Sequence, residues 1–242
     1  MIEKKVVVIT GGSKGIGLSI AKLFATKNYR VIICSRHRPK PNQLKEIADD
    51  CSYFELNLSD ELSVKSCVRS IFAEERTIEV LINCAGKAIG GSFLMTPLQE
   101  LRSMFEINYF NTLLFTQYIA KKMIAKKSGA IINIASTAGL LADRGTLCYG
   151  GSKAALMHAT KVLSSELGVF GIRVNAIAPS IVETDMAKQM DDDTLSLLYE
   201  RRSLKGEKIF SNDVAELAYF LGTNSSSKIT GQIIRIDCGN PF

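Results

Sequence analysis

The sequence contains no tryptophan, only five prolines and no internal repeat. Its eighteen glycines follow no period, so neither a collagen-like nor a disordered chain is indicated. No apolar run approaches the roughly 20 residues that a membrane-spanning helix needs. The short apolar run at the amino terminus leads straight into a glycine turn and lacks the length and cleavage site of a signal peptide. These absences predict a soluble cytoplasmic protein with no membrane partner.

The six cysteines include no C-x-x-C pair. We therefore expect no zinc site, no other metal site and no redox-active pair, and we predict free thiols in a reducing compartment.

The net charge of +6 suits an anionic partner such as a phosphate or an acidic carrier protein. The basic residues are scattered, however, and the densest cluster, Lys121-Lys122 with Lys126-Lys127, is typical of a solvated helix end. No groove-reading motif accompanies the charge, so a nucleic-acid partner is not predicted.

Short β-branched runs alternate along the chain with segments of helical periodicity. Several runs are continuously apolar, as expected for strands covered on both faces. The predicted strands are Lys5–Thr10, Arg30–Cys34, Tyr53–Leu56, Val80–Ile82, Ala130–Ala135, Ile172–Ala178 and Gln232–Ile236.

Helical patterns fill the gaps between these runs. The predicted helices are Ile16–Lys27, Asp60–Glu75, Glu106–Lys126, Tyr149–Gly168 and Ser211–Leu221, with one more that starts at Thr96 as N-cap and Pro97 as its first residue. Repeated β-α-β units predict one α/β domain over residues 1–242. We expect a doubly wound parallel sheet of about seven strands with helices on both faces.

A glycine turn, TGGSKGIG, spans Thr10–Gly17 between the first predicted strand and the first helix. Gly11 permits a tight turn, and Gly15 and Gly17 let the backbone and helix approach a pyrophosphate. The spacing is G-x-x-x-G-x-G rather than the commoner G-x-G-x-x-G. The alternative is a plain glycine-rich turn.

Charge at the end of the second predicted strand favours NADP over NAD. That strand ends in Ser35 and Arg36, and no carboxylate follows until Glu46. Together with Lys14, these two residues could hold a 2′-phosphate, which suits a planar, always-charged guanidinium. Alternatively, Arg36 belongs to a solvated basic loop.

The sequence YGGSK places Tyr149 and Lys153 one helical turn apart. A phenol has a pKa of about 10 in water. We expect the nearby ammonium to lower that pKa, and the same ammonium could bind ribose hydroxyls. The pair alone is a weak signal, because most such pairs are surface accidents.

Other segments accompany the Tyr–Lys pair, and the whole set resembles the classical short-chain dehydrogenase/reductase family over nearly the whole chain. These segments are Thr10–Gly17, Asn83-Cys84-Ala85-Gly86, Asn108, Ser136, Asn175–Pro179 and Glu183-Thr184.

The resemblance implies a Rossmann-like fold and an enzyme that reduces a carbonyl with NADPH. Ser136 would orient the carbonyl oxygen and Tyr149 would donate the proton. Lys153 would lower the pKa of Tyr149 and bind the ribose, and Asn108 would hold a water in a proton relay. The cofactor-binding residues implied are Gly11, Ser13, Lys14, Gly15, Ile16, Gly17, Ser35, Arg36, Asn57, Leu58, Asn83, Ala85, Gly86, Tyr149, Lys153, Pro179, Ile181, Val182 and Thr184.

The chain departs from the family pattern in four places. Asn57 stands where relatives carry an Asp that contacts adenine. Cys84 replaces the second Asn of N-N-A-G, and Ser180 replaces the Gly that usually follows Pro179. The Gly150-Gly151 pair either leaves room for substrate or permits tight packing.

Length and the sequence NAIAPSIVETDM, Asn175–Met186, are most similar to β-ketoacyl-acyl-carrier-protein reductases. The implied substrate is a 3-oxoacyl thioester on an acidic acyl carrier protein, which Lys126 and Lys127 could contact. A homotetramer is also implied. Residues 185–210 should form a substrate lid over a partly apolar pocket. The residues that suggest this pocket are Leu140, Leu141, Leu147 and Met186.

Two alternatives remain at this stage. One is an NADP-dependent enzyme for a free ketone, sugar or biosynthetic intermediate. The other is a nucleotide-binding regulator that keeps the fold without turnover, since a fold alone does not prove chemistry.

Overall fold

The computed structural model describes residues 4–184, 196, 199–200 and 202–240. All seven predicted strands are confirmed, each end within one residue of its prediction. The strands are β1 Val6–Thr10, β2 Arg30–Ser35, β3 Ser52–Glu55, β4 Val80–Asn83, β5 Gly129–Ile134, β6 Ile172–Pro179 and β7 Ile233–Ile236.

The seven strands form one parallel sheet in the order β3-β2-β1-β4-β5-β6-β7. The chain runs outward from β1 to β3 and then crosses back to β4, so the order reverses between β1 and β4. All five residues of β1 are buried, because both faces of the sheet are covered. The predicted doubly wound, Rossmann-like fold is confirmed.

Helices cover both faces of the sheet. One buried cluster includes Ile20 and Phe24 of the first helix and Leu221 of the last. The cluster on the opposite face includes Val68 and Phe115 of two other helices. The helices are α1 Gly15–Thr26, α2 Pro41–Ile47, α3 Glu61–Glu74, α4 Leu98–Phe105, α5 Asn111–Lys126, α6 Leu147–Gly168 and α7 Ser211–Gly222.

Three details differ from the sequence prediction. The short helix α2 was not predicted. The single long helix expected over Glu106–Lys126 is a π-helical segment at Glu106–Phe110 followed by α5. Thr96 is not an N-cap, because its hydroxyl donates to the Ser92 carbonyl at 2.8 Å in the preceding 3₁₀ turn. Helix α4 therefore starts at Leu98, one residue after the predicted first residue, and Pro97 is its N-cap.

None of the helices that the structure describes is both long and apolar enough to cross a membrane. The predicted lid, residues 185–210, lies partly outside the described residues, as does Met186 of the predicted pocket.

Candidate active site

The site forms where the carboxyl ends of β1, β4, β5 and β6 meet, beside the reversal in strand order. The Gly11 N–H at the end of β1 donates to the Cys34 carbonyl at 2.7 Å. Gly11 has a φ of 71°, and a Cβ there would lie 2.8 Å from the Ala85 Cα. Only glycine therefore allows the turn to pack on the end of β4.

Gly15 and Gly17 have different tasks in this turn. Gly15 is exposed with a φ of 52°, which lets the backbone bend into α1. A Cβ at Gly17 would overlap the carbonyl oxygen of Gly11, so this glycine lets α1 pack on its own turn. Its role is therefore helix packing, whereas the sequence suggested an approach to pyrophosphate.

The start of α1 is free to bind an anion. The helix begins without a side-chain cap and has no acidic residue in its first turn. Its first N–H groups have no intrahelical partner, and with the positive end of the helix dipole they favour an anion, with no competing carboxylate in the first turn. Ser13 lies in the turn itself, and Ile16 packs partly against the core.

Thr10 joins β1 to β4 at the floor of the crevice. Its buried hydroxyl accepts hydrogen bonds from the N–H groups of Cys84 and Ala85, each at 3.1 Å. Sequence reasoning treated this residue only as the first letter of the glycine motif. A polar residue that ends an otherwise apolar buried strand was the available signal.

Basic side chains surround the far end of the crevice. Lys14 and Arg36 are exposed, and neither has an ion-pair partner in the part of the chain that the structure describes. The buried Ser35 hydroxyl donates to the His37 carbonyl at 2.9 Å. Two free cations near a helix amino terminus suit a phosphate group.

Asn57 and Leu58 lie at the turn after β3. The Asn57 Oδ1 atom accepts from the N–H and the hydroxyl of Ser59, at 3.1 and 2.7 Å. Only its amide N–H groups remain for a bound base. Leu58 is buried, and its carbonyl accepts from Asn111 Nδ2 at 3.0 Å.

Asn83 points into the protein, away from the crevice. Its Nδ2 atom donates to Thr116 Oγ1 and to Asn133 Oδ1, both at 2.8 Å, between the sheet and α5. Its side chain therefore joins β4, β5 and α5, and only its main chain is placed to contact a cofactor.

Asn108, Gly86 and Lys153 meet at the end of β4. A Cβ on the exposed Gly86 would lie 3.2 Å from Asn108 Oδ1 and 3.4 Å from Lys153 Nζ. The fully buried Asn108 amide accepts from the Lys87 N–H and donates to the Lys87 carbonyl, both at 2.8 Å. The π segment that carries Asn108 is the kind of irregularity common at functional sites.

Ser152 connects Asn108 to the catalytic helix, and sequence reasoning gave it no role. Its buried hydroxyl accepts from Asn108 Nδ2 at 2.9 Å and donates to the Tyr149 carbonyl at 2.8 Å. Its place three residues after Tyr149, on the same helix face, was the signal available.

Ser136, Tyr149 and Lys153 are brought together at the carboxyl end of β5. The Ser136 hydroxyl lies near enough to the Tyr149 phenol to affect its pKa, accepts from the Ala138 N–H at 3.2 Å, and lies 3.4 Å from the Pro179 carbonyl oxygen. Lys153 Nζ donates to the Ile134 carbonyl at 2.8 Å and lies 5.8 Å from the centre of the Tyr149 ring.

The pKa of Tyr149 is raised, not lowered as expected from the sequence. Burial of the phenol is the main cause, and the hydrogen bond with Ser136 only partly opposes it. Burial also lowers the pKa of Lys153 to about 8, because its ammonium is desolvated. Tyr149 is therefore protonated at neutral pH, which is the form that a proton donor needs.

Of the two explanations for the Gly150-Gly151 pair, tight packing applies to Gly150. A Cβ on Gly150 would overlap the Ala138 carbonyl oxygen, and one on Gly139 would lie 2.7 Å from the Ala154 nitrogen. Helix α6 thus presses against the turn that follows Ser136. Gly151 has only ordinary contacts with Phe105, so it is not required for this packing.

Ile181–Thr184, which we call the β6 exit segment, returns across the crevice to the glycine turn. Val182 is buried and forms a β-bridge with Ile209. The Thr184 Cγ2 atom lies 3.6 Å from where a Cβ on Gly15 would be. The end of the segment therefore packs against the glycine turn at the crevice.

A cavity of about 200 Å³ reaches Cys148, the residue before Tyr149 in the chain. Its walls come from the loop after β4, the start of α4 and the first turn of α6. The lining residues are Ile89, Gly90, Gly91, Met95, Thr96, Pro97, Glu100, Met104, Gly145 and Cys148. Leu140, Leu141 and Leu147, which suggested an apolar pocket, are not among them.

The cysteines in the described residues are all free thiols. Burial raises the pKa of Cys84 to about 11, so it is a neutral thiol beside Lys153. In the described part of the chain, no group of three or more His, Cys, Asp or Glu is placed to hold a metal ion.

The family model described as short chain dehydrogenase matches residues 5–195. The chain belongs to the short chain dehydrogenase family. It is therefore an oxidoreductase of the class that interconverts carbonyls and alcohols with a nicotinamide cofactor.

Individual relatives within the family differ in their substrates. The 3-oxoacyl-[acyl-carrier-protein] reductase FabG of Chlamydia trachomatis is 32% identical, with 99% of this chain and 98% of the relative covered. D-threitol dehydrogenase of Mycolicibacterium smegmatis is 30% identical, with 98% and 93% covered. A solved structure of ElxO with NADP bound has a TM-score of 0.90 and 30% identity, over 98% of this chain and 99% of that one.

Proposed function

We propose that this protein reduces a substrate carbonyl to an alcohol with NADPH, and that Tyr149 donates the proton. The observation that carries the proposal is that the Ser136 hydroxyl, the desolvated Tyr149 phenol and the buried Lys153 amine one helical turn further along come together at the crevice. Two hydroxyls that share one face of a crevice can both hydrogen-bond a single carbonyl oxygen.

The residues present fit a nicotinamide dinucleotide. The uncapped start of α1 and the glycine turn suit its pyrophosphate, and the unpaired Lys14 and Arg36 suit a 2′-phosphate, so we infer NADP rather than NAD. ElxO, which was solved with NADP, supports the same cofactor. When bound, NADPH supplies the hydride.

The remaining steps belong to this chain's own side chains. Ser136 orients the carbonyl oxygen, and Tyr149 delivers its proton to that oxygen as it gains charge. Lys153, with a pKa of about 8, then returns a proton toward the phenolate, and Asn108 holds the water that relays it. Because its pKa is raised, the Tyr149 phenol starts protonated, as the role of proton donor requires.

For the substrate we propose a 3-oxoacyl thioester on acyl carrier protein. Several of the similar relatives are 3-oxoacyl-[acyl-carrier-protein] reductases. The cavity that reaches Cys148, walled partly by Ile89 and Met104, offers space for an apolar chain. D-threitol dehydrogenase, at similar identity, keeps a free sugar or ketone as the alternative substrate class.

The two lysines suggested for carrier docking lie far from this site in the same chain. Lys126 pairs with Glu79, which directly precedes β4, and Lys127 ends the same helix. Both therefore lie at the amino end of the sheet, opposite Tyr149. A carrier bound there would not border this chain's own crevice. A homotetramer and a cytoplasmic location stay predictions.

The test follows reduced-cofactor absorbance with NADPH and, separately, NADH. The substrates are an acetoacetyl thioester, a 3-oxoacyl group on acyl carrier protein, and a panel of free ketones and sugars. We expect consumption with NADPH and the highest kcat/KM for the carrier-bound substrate. Faster turnover of a free ketone or sugar would contradict the proposed carrier-bound substrate. NADPH binding without any oxidation of NADPH would indicate the non-catalytic regulator.

A further inference from the structure

Arg202 is buried, and no carboxylate among the described residues is hydrogen-bonded to it, although the Glu183 carboxylate is near enough to interact with its charge. Only 1% of the residue is exposed, and the contacts of its guanidinium are with backbone carbonyls and one aromatic ring. Its Nε atom has no hydrogen-bond partner among the described residues. Burying a guanidinium in this way is costly, and an apolar side chain of similar volume would often be as stable. The burial of Arg202 therefore indicates a role other than stability.

The two backbone carbonyls belong to different segments. Arg202 Nη1 donates to the Glu207 carbonyl at 2.6 Å, and Nη2 donates to the Ile181 carbonyl at 3.2 Å. Ile181 begins the β6 exit segment, while Glu207 lies in residues 202–209, which we call the return segment. One planar, forked side chain thus holds both segments at a set distance.

The rest of the β6 exit segment is tied to the same return segment. The Glu183 N–H donates to the Ile209 carbonyl at 2.8 Å, next to the bridge between Val182 and Ile209. The Glu183 carboxylate accepts from the Tyr199 hydroxyl at 2.6 Å and lies 3.3 Å from Lys208 Nζ. Arg202 also stacks on the Tyr199 ring, at 4.6 Å from its centre.

The consequence of this arrangement falls on the cofactor crevice. The β6 exit segment follows Pro179, whose carbonyl contacts Ser136, and it ends at Thr184 beside the glycine turn. A change in its height above the crevice would alter the space left for a dinucleotide. Among the charged side chains that join the two segments in the described residues, Arg202 is the one buried from solvent, so its hydrogen bonds are the least screened.

We propose that Arg202 is a positioning residue that sets the β6 exit segment over the NADPH crevice. The proposal rests on the proposed function for its ligand, but its geometric part concerns the protein alone. Arg202 acts through Ile181, without contact to the reacting atoms.

Arg173 provides a matched control. It too donates to backbone carbonyls, those of Leu221 at 2.8 Å and Thr223 at 2.9 Å, with no carboxylate partner among the described residues. It lies near the start of β6, at the end of the sheet away from the crevice. Arg173→Met should therefore lower stability without affecting the crevice.

The experiment compares wild type, Arg202→Met, Arg202→Lys and Arg173→Met. Three quantities are measured for each: the NADPH Kd by fluorescence titration, backbone hydrogen exchange at residues 181–184 without ligand, and the thermal midpoint. For Arg202→Met we expect a Kd raised about tenfold, since small misplacements at a binding crevice are costly, and faster exchange at residues 181–184. Arg202→Lys should lie between it and wild type, because an ammonium can reach one carbonyl only.

Arg173→Met should lower the thermal midpoint but leave both other quantities at the wild-type values. Unchanged Kd and exchange in Arg202→Met would overturn the proposal, as would an equal change in Arg173→Met. If wild type itself binds no NADPH, the proposed function fails, while the exchange data still decide whether Arg202 positions the segment.

Discussion

At the amino end of the sheet, Lys126 forms an ion pair with Glu79, and Arg30 pairs with Glu74 and Glu75. At the carboxyl end, Lys153 is buried and donates to a backbone carbonyl, with no carboxylate partner in the described part of the chain. Charges at the amino end are paired and partly solvated, and the side-chain hydrogen bond with Glu75 is the main cause that raises the pKa of Arg30. The carboxyl end keeps a desolvated amine beside a desolvated phenol, an arrangement that costs stability and tunes proton transfer.

The largest expected difference between the two ends is in turnover. Tyr149→Phe removes the proton donor, so kcat should fall on the order of a thousandfold. NADPH affinity should stay within about threefold, because Lys153 and the glycine turn remain. Tyr29→Phe, a buried tyrosine on the other side of the fold, is the control and should keep full kcat. Retained turnover in Tyr149→Phe would remove Tyr149 from the mechanism.

The buried amine should make stability depend on pH in a way that the paired lysine does not. Lys153 has a pKa of about 8 in the fold against 10.5 when exposed, so the unfolded chain holds more protons between these values. Stability therefore rises as pH increases through that range, and the full cost of burial, on the order of 3 kcal/mol, applies below pH 8.

Urea unfolding at pH 7 and 9.5 measures this effect. Wild type should gain about 2 kcal/mol relative to Lys153→Met between the two pH values. The difference in unfolding free energy between wild type and Lys126→Met should be the same at both pH values. Parallel pH profiles for wild type and Lys153→Met would mean that the amine is not desolvated.

Packing of the glycine turn gives a smaller effect. In Gly17→Ala the new Cβ would overlap the Gly11 carbonyl oxygen, so unfolding free energy should fall by about 1–3 kcal/mol and NADPH binding should weaken. Gly168→Ala at the end of α6 has no atom within 4 Å of the new Cβ. That variant should be neutral or stabilising by up to about 1 kcal/mol. Equal loss in both variants, seen by urea unfolding, would contradict a packing role for Gly17.

The smallest effect is expected for the amino-end ion pair. Lys126→Met should cost at most about 1 kcal/mol of unfolding free energy, because the pair is partly exposed. Its kcat/KM for a free acetoacetyl thioester should equal that of wild type. A selective rise in KM for a carrier-bound substrate alone would show that a carrier docks at this end after all.

Sequence reasoning predicted the frame of the site better than its electrostatics. Three local patterns were read correctly: the strand runs, the glycine turn, and the i, i+4 spacing of Tyr149 and Lys153. The glycine turn and the Tyr–Lys pair lie at the carboxyl end of the sheet, as the β-α-β order requires. The same local reasoning gave the wrong direction for the Tyr149 pKa. Spacing shows which charge is near, but only burial shows how much the phenol is desolvated.

Residues whose partners are distant in sequence were missed or misjudged. Asn83 stays a predicted cofactor residue through its main chain, but no local pattern indicated that its side chain binds Thr116 and Asn133 in the interior. Nothing local marked Arg202 as a partner of Ile181, 21 residues away. The position of Ser152 one turn after Tyr149 was a local signal, but its bond to Asn108, 44 residues away, was not.

The sequence alone determined the parallel α/β frame and the placement of the glycine turn and the Tyr–Lys pair, since backbone periodicity, φ preferences and helical spacing act over a few residues. The tertiary structure decided which glycines are needed for packing, which polar groups are buried, and whether a phenol or an amine keeps its proton. Those outcomes depend on desolvation and on contacts between distant segments, and neither exists until the chain has folded.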